Sequence, residues 1–183
     1  MLPSRKFIPL ETVVARLCPQ CALCCNGVLF KDVELQPGDD ANRLESLGLP
    51  LSKTRNRQSA IRKEKFPQPC GVLDGCRCRI HADRPARCRQ FECALLKSVA
   101  AGKTEVDTAL RAILVARQRA DQVHALLREV GDVDPKLALS LRFKRTKRRF
   151  EASPPDDARA EAFSRLTLAV HDLNLWLCGK FYP

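Results

Sequence analysis

Four thiols fall within eight residues, Cys18-Pro-Gln-Cys21-Ala-Leu-Cys24-Cys25. Cysteines this close converge readily on one metal, whereas a disulfide between such near neighbours is strained. A second set follows downstream: Cys70, Cys76, Cys78, Cys88 and Cys93. The two sets read as halves of one metal site. The first three cysteines have the C-x2-C-x2-C spacing that opens a bacterial ferredoxin-type iron–sulfur run, and the adjoining fourth departs from it. Neighbouring side chains of an extended backbone point to opposite sides. Cys24 and Cys25 are therefore expected to serve two metals, or one to bind while the other supports it.

Arg77, Arg79, Arg84, Arg87 and Arg89 interleave the second set. Positive charge and hydrogen bonds there lower thiolate pKa values and steady an anionic centre. Around an iron–sulfur cluster they would also raise its reduction potential. Arg84, Arg87 and Arg89 are the expected supports of the ligands, and Arg84-Pro85 reads as a structural turn whose arginine bonds the loop before it.

These ligands must be carried by the rest of the chain. Residues 1–17 begin irregularly, with Pro3 and Pro9, and then read as a short turn or helix through Val13, Val14 and Leu17; Gly27 to Leu35 reads as a strand ended by Pro37-Gly38. Asp39 or Asp40 caps a brief helix with Leu44 and Leu47, stopped at Gly48. Residues 52–69 form a polar, basic connection containing Lys53, Arg55, Arg57, Arg62, Lys63 and Lys65, expected as an exposed loop. A helix is expected from about Pro85 to Ala101. From Gly102 the character changes: Val106, Ala109, Ile113, Ala116, Ala120, Val123, Leu127 and Val130 trace the stripe of an amphipathic helix ended by Gly131. Asp134-Pro135 opens a second helix with Leu139, Phe143 and Phe150 on one face. Ser153-Pro154-Pro155-Asp156-Asp157 opens a third, striped by Ala162, Phe163, Leu166, Ala169, Val170, Leu173, Trp176 and Leu177. The fold class is mainly α: an irregular cysteine-rich metal-binding module over residues 1–101, followed by a small antiparallel helical bundle over residues 102–183.

The chain has 183 residues, and its 45% hydrophobic content suffices for a real core. Arg5, Lys6, Glu11 and Arg16 interrupt any signal-peptide run, and no apolar stretch is long enough to span a membrane. A cytoplasmic protein is expected, where clustered thiols stay reduced and bind metal. The formal charge of +11 admits nucleic acid or an acidic protein as partner, and part of it offsets the charge of metal-bound thiolates. The densest basic run, Arg142 to Arg149, offers Lys144, Arg145, Lys147, Arg148 and Arg149 as nucleic-acid contacts. One Trp, one Tyr and eight Phe leave little material for stacking bases.

The cysteine pattern also resembles a known family. C-x2-C-x2-C-C, then Cys70-Gly-Val-Leu, Cys78-Arg-Ile-His, and Arg84-Pro85-Ala-Arg-Cys88-Arg89-Gln-Phe91-Glu-Cys93 are similar to the bacterial cysteine-cluster family of zinc- or iron-chelating domains. That family includes flagellin N-methylase-like members. The resemblance covers residues 15–95. It implies Cys18, Cys21, Cys24, Cys25, Cys70, Cys78, Cys88 and Cys93 as metal ligands, with Cys76 and Cys178 outside the pattern. His81 stands where an aromatic is expected, and the helical half is not part of the motif.

Three readings of these thiols follow: an iron centre, including an iron–sulfur cluster; two closed structural zinc sites; or redox-labile disulfides. The first two imply iron or zinc as cofactor. A metal-dependent redox or lysine-modifying, N-methylase-like enzyme is the catalytic alternative, and a zinc-stabilised nucleic-acid or protein adaptor the other. His81 is expected to be hydrogen-bonded and partly exposed rather than a ligand. Cys178 is expected to pack as a small buried hydrophobe. There is no phosphate-binding glycine run, and Val28 stands where a radical-SAM spacing would need cysteine.

Overall fold

The computed structural model describes residues 7–55, 62–153 and 156–182. Among these, the elements run α1 (Leu10–Cys21), β1 (Asp32–Glu34), α2 (Ala41–Ser46), β2 (Ser52–Arg55), β3 (Arg62–Pro67), β4 (Leu73–Asp74) and β5 (Arg77–Cys78). Helices α3 (Ala86–Gln90), α4 (Ala94–Ala100), α5 (Val106–Glu129), α6 (Leu139–Ala152) and α7 (Asp157–Lys180) complete the order. The chain is mainly α, with two small antiparallel sheets. Pro3, Arg5, Lys6, Arg57 and Pro154-Pro155, which figure in the sequence pattern, lie outside the described residues.

The chain folds as two units that alternate along the sequence. The first takes residues 1–22, 92–133 and 149–183. Its centre is the antiparallel pair α5 and α7, with α1 and α4 packed on α5. Helix α5 buries Val106, Ala109, Ile113, Ala116, Ala120, Val123 and Leu127, the stripe the spacing predicts. Helix α7 answers with Ala162, Leu166, Ala169, Leu173 and Leu177. Small residues in both stripes let the helices approach closely, so polar groups bridge their flanks. Trp176 Nε1 donates to the Ala112 carbonyl at 3.2 Å and Arg119 to the Asp172 carbonyl at 2.8 Å. Arg117 reaches the Gln20 carbonyl at the end of α1, at 2.8 Å. The Asp156 side chain caps α7 by accepting from the Arg159 N–H at 2.8 Å.

The expected third partner of that bundle is replaced. The first ten residues of α6, up to Arg148, group with the second unit, and α1 and α4 pack on α5 instead. Helix α6 also begins later than Pro135, because Asp134 spends its side chain on the Lys136 N–H in a local turn (3.0 Å). Its buried face is Leu139, Arg142 and Thr146 rather than Leu139, Phe143 and Phe150.

The second unit takes residues 23–91 and 134–148. Its apolar centre is Leu44, Leu49, Phe66, Val72 and Ile80, with Cys70, Cys78 and Cys88 packed against it. Of residues 52–69, expected as an exposed loop, Ser52–Arg55 and Arg62–Pro67 form two strands of a three-stranded sheet in the order β1-β3-β2. The signal was hidden because these strands are mostly polar and charged, with no apolar alternation. Lys53 pairs with Glu64 at 3.3 Å across β2 and β3, and Lys65 with Asp32 at 2.7 Å across β3 and β1. The strand expected from Gly27 shrinks to Asp32–Glu34, because Gly27 at φ 83° and a Leu29 N–H to Leu23 carbonyl bond (3.0 Å) fold the earlier residues into a turn. Helix α2 is capped by Asp40, whose carboxylate accepts from the Arg43 N–H at 3.0 Å.

Candidate metal centre

Cys18 and Cys21 ride on the last turn of α1, three residues apart and so on neighbouring positions of one face. Val13 and Leu17 form the buried stripe beside them, Leu17 one turn before Cys21. Ala22 ends the helix in the left-handed conformation, φ 54°, with its N–H on the Cys18 carbonyl at 3.3 Å. The chain then turns sharply, and Cys24 and Cys25 fall in this turn. The expectation that they point apart fails because the backbone there is not extended: their sulfurs are 3.7 Å apart. The turn is held within the second unit, where the Cys70 N–H donates to the Cys25 carbonyl at 2.8 Å and the Leu139 N–H to the Gly27 carbonyl at 2.9 Å.

The later cysteines come from three different local structures. Cys70 follows Pro69. Cys78 lies in β5, paired with Leu73 of β4 across the two-residue turn Gly75-Cys76. Cys88 lies on α3, whose first N–H, from Ala86, is taken by Asp39 Oδ1 at 2.8 Å. The other oxygen of Asp39 accepts the Gln36 N–H at 2.8 Å, so one carboxylate fixes where α3 begins. The helix expected from Pro85 to Ala101 breaks into α3 and α4, since Phe91 and Cys93 have extended ψ angles of 121° and 160°.

The thiol environments share a pattern. Burial pushes Cys70 up to about 11, opposed by the Val72 N–H on its sulfur. Burial raises Cys78, opposed by the Ile80 N–H. Burial raises Cys93, opposed by the Leu96 and Leu95 N–H groups at the start of α4. In each case nearby backbone N–H groups work against burial by favouring the anionic form. Burial pushes Cys88 up to about 12, and the Cys25, Cys70 and Cys78 charges add to it. Cys25 is lowered instead, by its contact with Cys24 and then by the Arg84 charge, against burial.

The arginines divide. Arg84 is half-buried, donates Nε to the His81 carbonyl at 3.0 Å, and its charge favours the Cys25, Cys78 and Cys88 thiolates. Arg79 bonds the Gly71 carbonyl at 3.0 Å and favours the Cys70 thiolate. Arg87 and Arg89 are exposed on α3. His81 is exposed, and Cys76 occupies the tip of the β4–β5 hairpin. Cys178 is exposed, not buried, because it sits one residue past Leu177 and so off the buried stripe of α7. Cys18, Cys21 and Cys93 belong to the first unit, and Cys24, Cys25, Cys70, Cys78 and Cys88 to the second. Among the described residues, no three Cys, His, Asp or Glu side chains are already gathered closely enough to hold an ion.

The basic run on α6 is only partly presented. Arg142 is buried, Arg145 pairs with Asp134 at 3.3 Å, and Arg149 approaches the buried Asp132 at 4.0 Å. Lys144, Lys147 and Arg148 are exposed.

The donor set fits a thiophilic ion: sulfur ligands, partial burial, and backbone N–H groups that compensate sulfur charge. Such a cysteine-rich, mainly α chain is of the thiolate metal-chelating class. It belongs to the CxxCxxCC family, described as a "Putative zinc- or iron-chelating domain", whose model matches residues 17–111. No curated protein and no solved structure matches the chain. No helix among the described residues is long and apolar enough to cross a membrane.

Proposed function

We propose that the chain holds iron or zinc through Cys18, Cys21, Cys24, Cys25, Cys70, Cys78, Cys88 and Cys93. What supports this is the packing of Cys70, Cys78 and Cys88 against one apolar cluster, with Cys25 tied to Cys70 through their backbones, in a chain of a family described as zinc- or iron-chelating. Arg84 favours the charged form of Cys25, Cys78 and Cys88, as a metal-bound thiolate that keeps much of its negative charge requires, and Arg87 and Arg89 extend the positive field outward. Bound iron would supply electron-transfer capacity, and bound zinc would supply folding energy or a Lewis acid. The C-x2-C-x2-C opening favours iron, including an iron–sulfur cluster, and the reduced thiols favour a cytoplasmic setting.

Metal and acid-labile sulfide analysis, with an absorption spectrum, on protein purified without oxygen tests this. Iron with sulfide supports a cluster and a redox or lysine-modifying role. About two colourless zinc ions support a structural module, with Lys144, Lys147 and Arg148 as the remaining surface for an acidic partner. Less than stoichiometric metal of either kind overturns the reading.

A further inference from the structure

We infer that Cys24 and Cys25 are a reversible dithiol–disulfide pair, whose oxidation withdraws two sulfurs at once from the proposed metal ligands. The consequence for metal rests on the metal-binding reading above, whereas the pairing itself rests on geometry. The two sulfurs face each other at 3.7 Å, and neither is in a disulfide. Adjacent side chains meet only where the backbone is curled, and here the curl is pinned around them. The Leu23 carbonyl accepts the Leu29 N–H at 3.0 Å, and the Cys25 carbonyl accepts the Cys70 N–H at 2.8 Å. Both cysteines are half-buried, so neither is sealed from a small oxidant.

The oxidant is a small-molecule disulfide such as oxidised glutathione. The thiolate of one cysteine attacks a sulfur of that disulfide, the small S–S bond breaks, and one small thiol leaves with a proton. The second cysteine then attacks the protein sulfur of the mixed disulfide and displaces the other small thiol. Two electrons pass from the protein pair to the small disulfide, which is recovered as two thiols. Proximity favours this closure, since the sulfurs need only come from 3.7 Å to about 2.05 Å. The product is strained, because neighbouring Cα atoms stand about 3.8 Å apart, below the roughly 4.4–6.8 Å of ordinary disulfides. Strained disulfides are the readily reduced ones, so the step reverses. Only the thiolate is a metal ligand, so oxidation and metal compete for the same two sulfurs.

The test treats the reduced, metal-free full chain with oxidised glutathione, blocks the remaining thiols, and maps tryptic peptides by mass spectrometry. Cleavage after Arg16 and Lys31 leaves Cys18, Cys21, Cys24 and Cys25 on one peptide. In the Cys18→Ser/Cys21→Ser variant that peptide should appear two hydrogens lighter than the dithiol, joined to no other peptide, and return to the dithiol with reductant. Cys24→Ser and Cys25→Ser should each stop at the glutathione adduct. The wild type loaded with zinc should form the disulfide at least tenfold more slowly, and should release zinc to a chromophoric chelator as the disulfide appears.

A glutathione adduct that persists on the Cys18→Ser/Cys21→Ser peptide, or Cys24 or Cys25 joined to a cysteine of another peptide, overturns the pair and leaves metal binding standing. Disulfide formation at an unchanged rate with zinc fully retained overturns the competition, and removes Cys24 and Cys25 from the ligands. A chain that forms the disulfide but takes up neither zinc nor iron supports the pair and overturns the metal-binding reading alone.

Discussion

The backbone N–H of Cys70 donates to the carbonyl oxygen of Cys25 at 2.8 Å. Two cysteines far apart in sequence are thus joined through their main chains, before any side chain is considered. The two residues are tethered whether or not an ion is present, so an ion held by the proposed ligands would complete an arrangement that the backbone has begun.

Metal removal should accordingly act on the second unit first. Its core is small, whereas α5 and α7 bury twelve side chains between them without help from the cysteines. With chelator and reductant, the far-UV helix signal should largely persist while amide protection at the Leu73–Cys78 pairing is lost. Hydrogen exchange followed by mass spectrometry reads both. Uniform loss of protection over α5 and α7 would contradict this.

Arg84→Ala should weaken metal affinity about tenfold, the lower end of what orienting partners of metal ligands contribute. The variant removes the cation that favours Cys25, Cys78 and Cys88, together with the bond to His81. Arg87→Ala, on the exposed side of α3, should change it by less than about twofold. Competition with a chromophoric chelator gives both values.

The metal-free chain should lose stability in alkali. Folded Cys88 titrates at about 12 and Cys70 at about 11, against an ordinary 9.0. The folded state therefore holds its protons more tightly than the unfolded chain does. That contribution is complete below pH 9 and disappears as pH climbs from about 9 through 11 to 12. Thermal midpoints of reduced, metal-free protein should be level near neutrality and fall above about pH 9. Cys88→Ala should flatten the decline.

Gly27→Ala should destabilise more than Gly38→Ala. Both have positive φ, 83° and 95°. At Gly27, however, a Cβ would also meet the Ala138 backbone at 3.0 Å and the Pro69 ring at 3.2 Å, whereas at Gly38 it meets nothing within 4 Å. A conformational cost of about 1–3 kcal/mol applies to each, and Gly27 adds a backbone clash. At roughly 2–4 °C per kcal/mol for a chain of this size, the two thermal midpoints should separate clearly.

Gel shifts at low and high salt should show no retained nucleic-acid binding. Arg142 is buried and Arg145 and Arg149 are engaged by Asp134 and Asp132, so the basic run on α6 presents too few available cations for a strong phosphate interface. A shift at low salt that Lys144→Ala weakens would argue for the adaptor instead.

Much of this was legible in residue order. The stripes of α5 and α7 are long enough for helical periodicity to override every local ambiguity, and residue type narrows the cap of α2 to Asp39 or Asp40, of which Asp40 serves. The three-stranded sheet was not legible, because β3 is matched to β2 by Lys53–Glu64 and to β1 by Lys65–Asp32 rather than by apolar alternation. The break before α4 was also missed, since cysteine is not a usual capping residue and Cys93 makes no side-chain cap at the start of that helix.

The β4–β5 hairpin has a further consequence, for chain length rather than composition. Leu73 faces Cys78 and Asp74 faces Arg77, with only Gly75 and Cys76 between. In a ladder of period two, one inserted residue carries every later side chain to the opposite face. Such an insertion would turn Cys78 away from Val72 and Ile80 while altering no amino acid that touches them. The hairpin is therefore a ruler, and a survey of length variants at residues 75–77 would find this spacing far less forgiving than the identity of the residue at its tip.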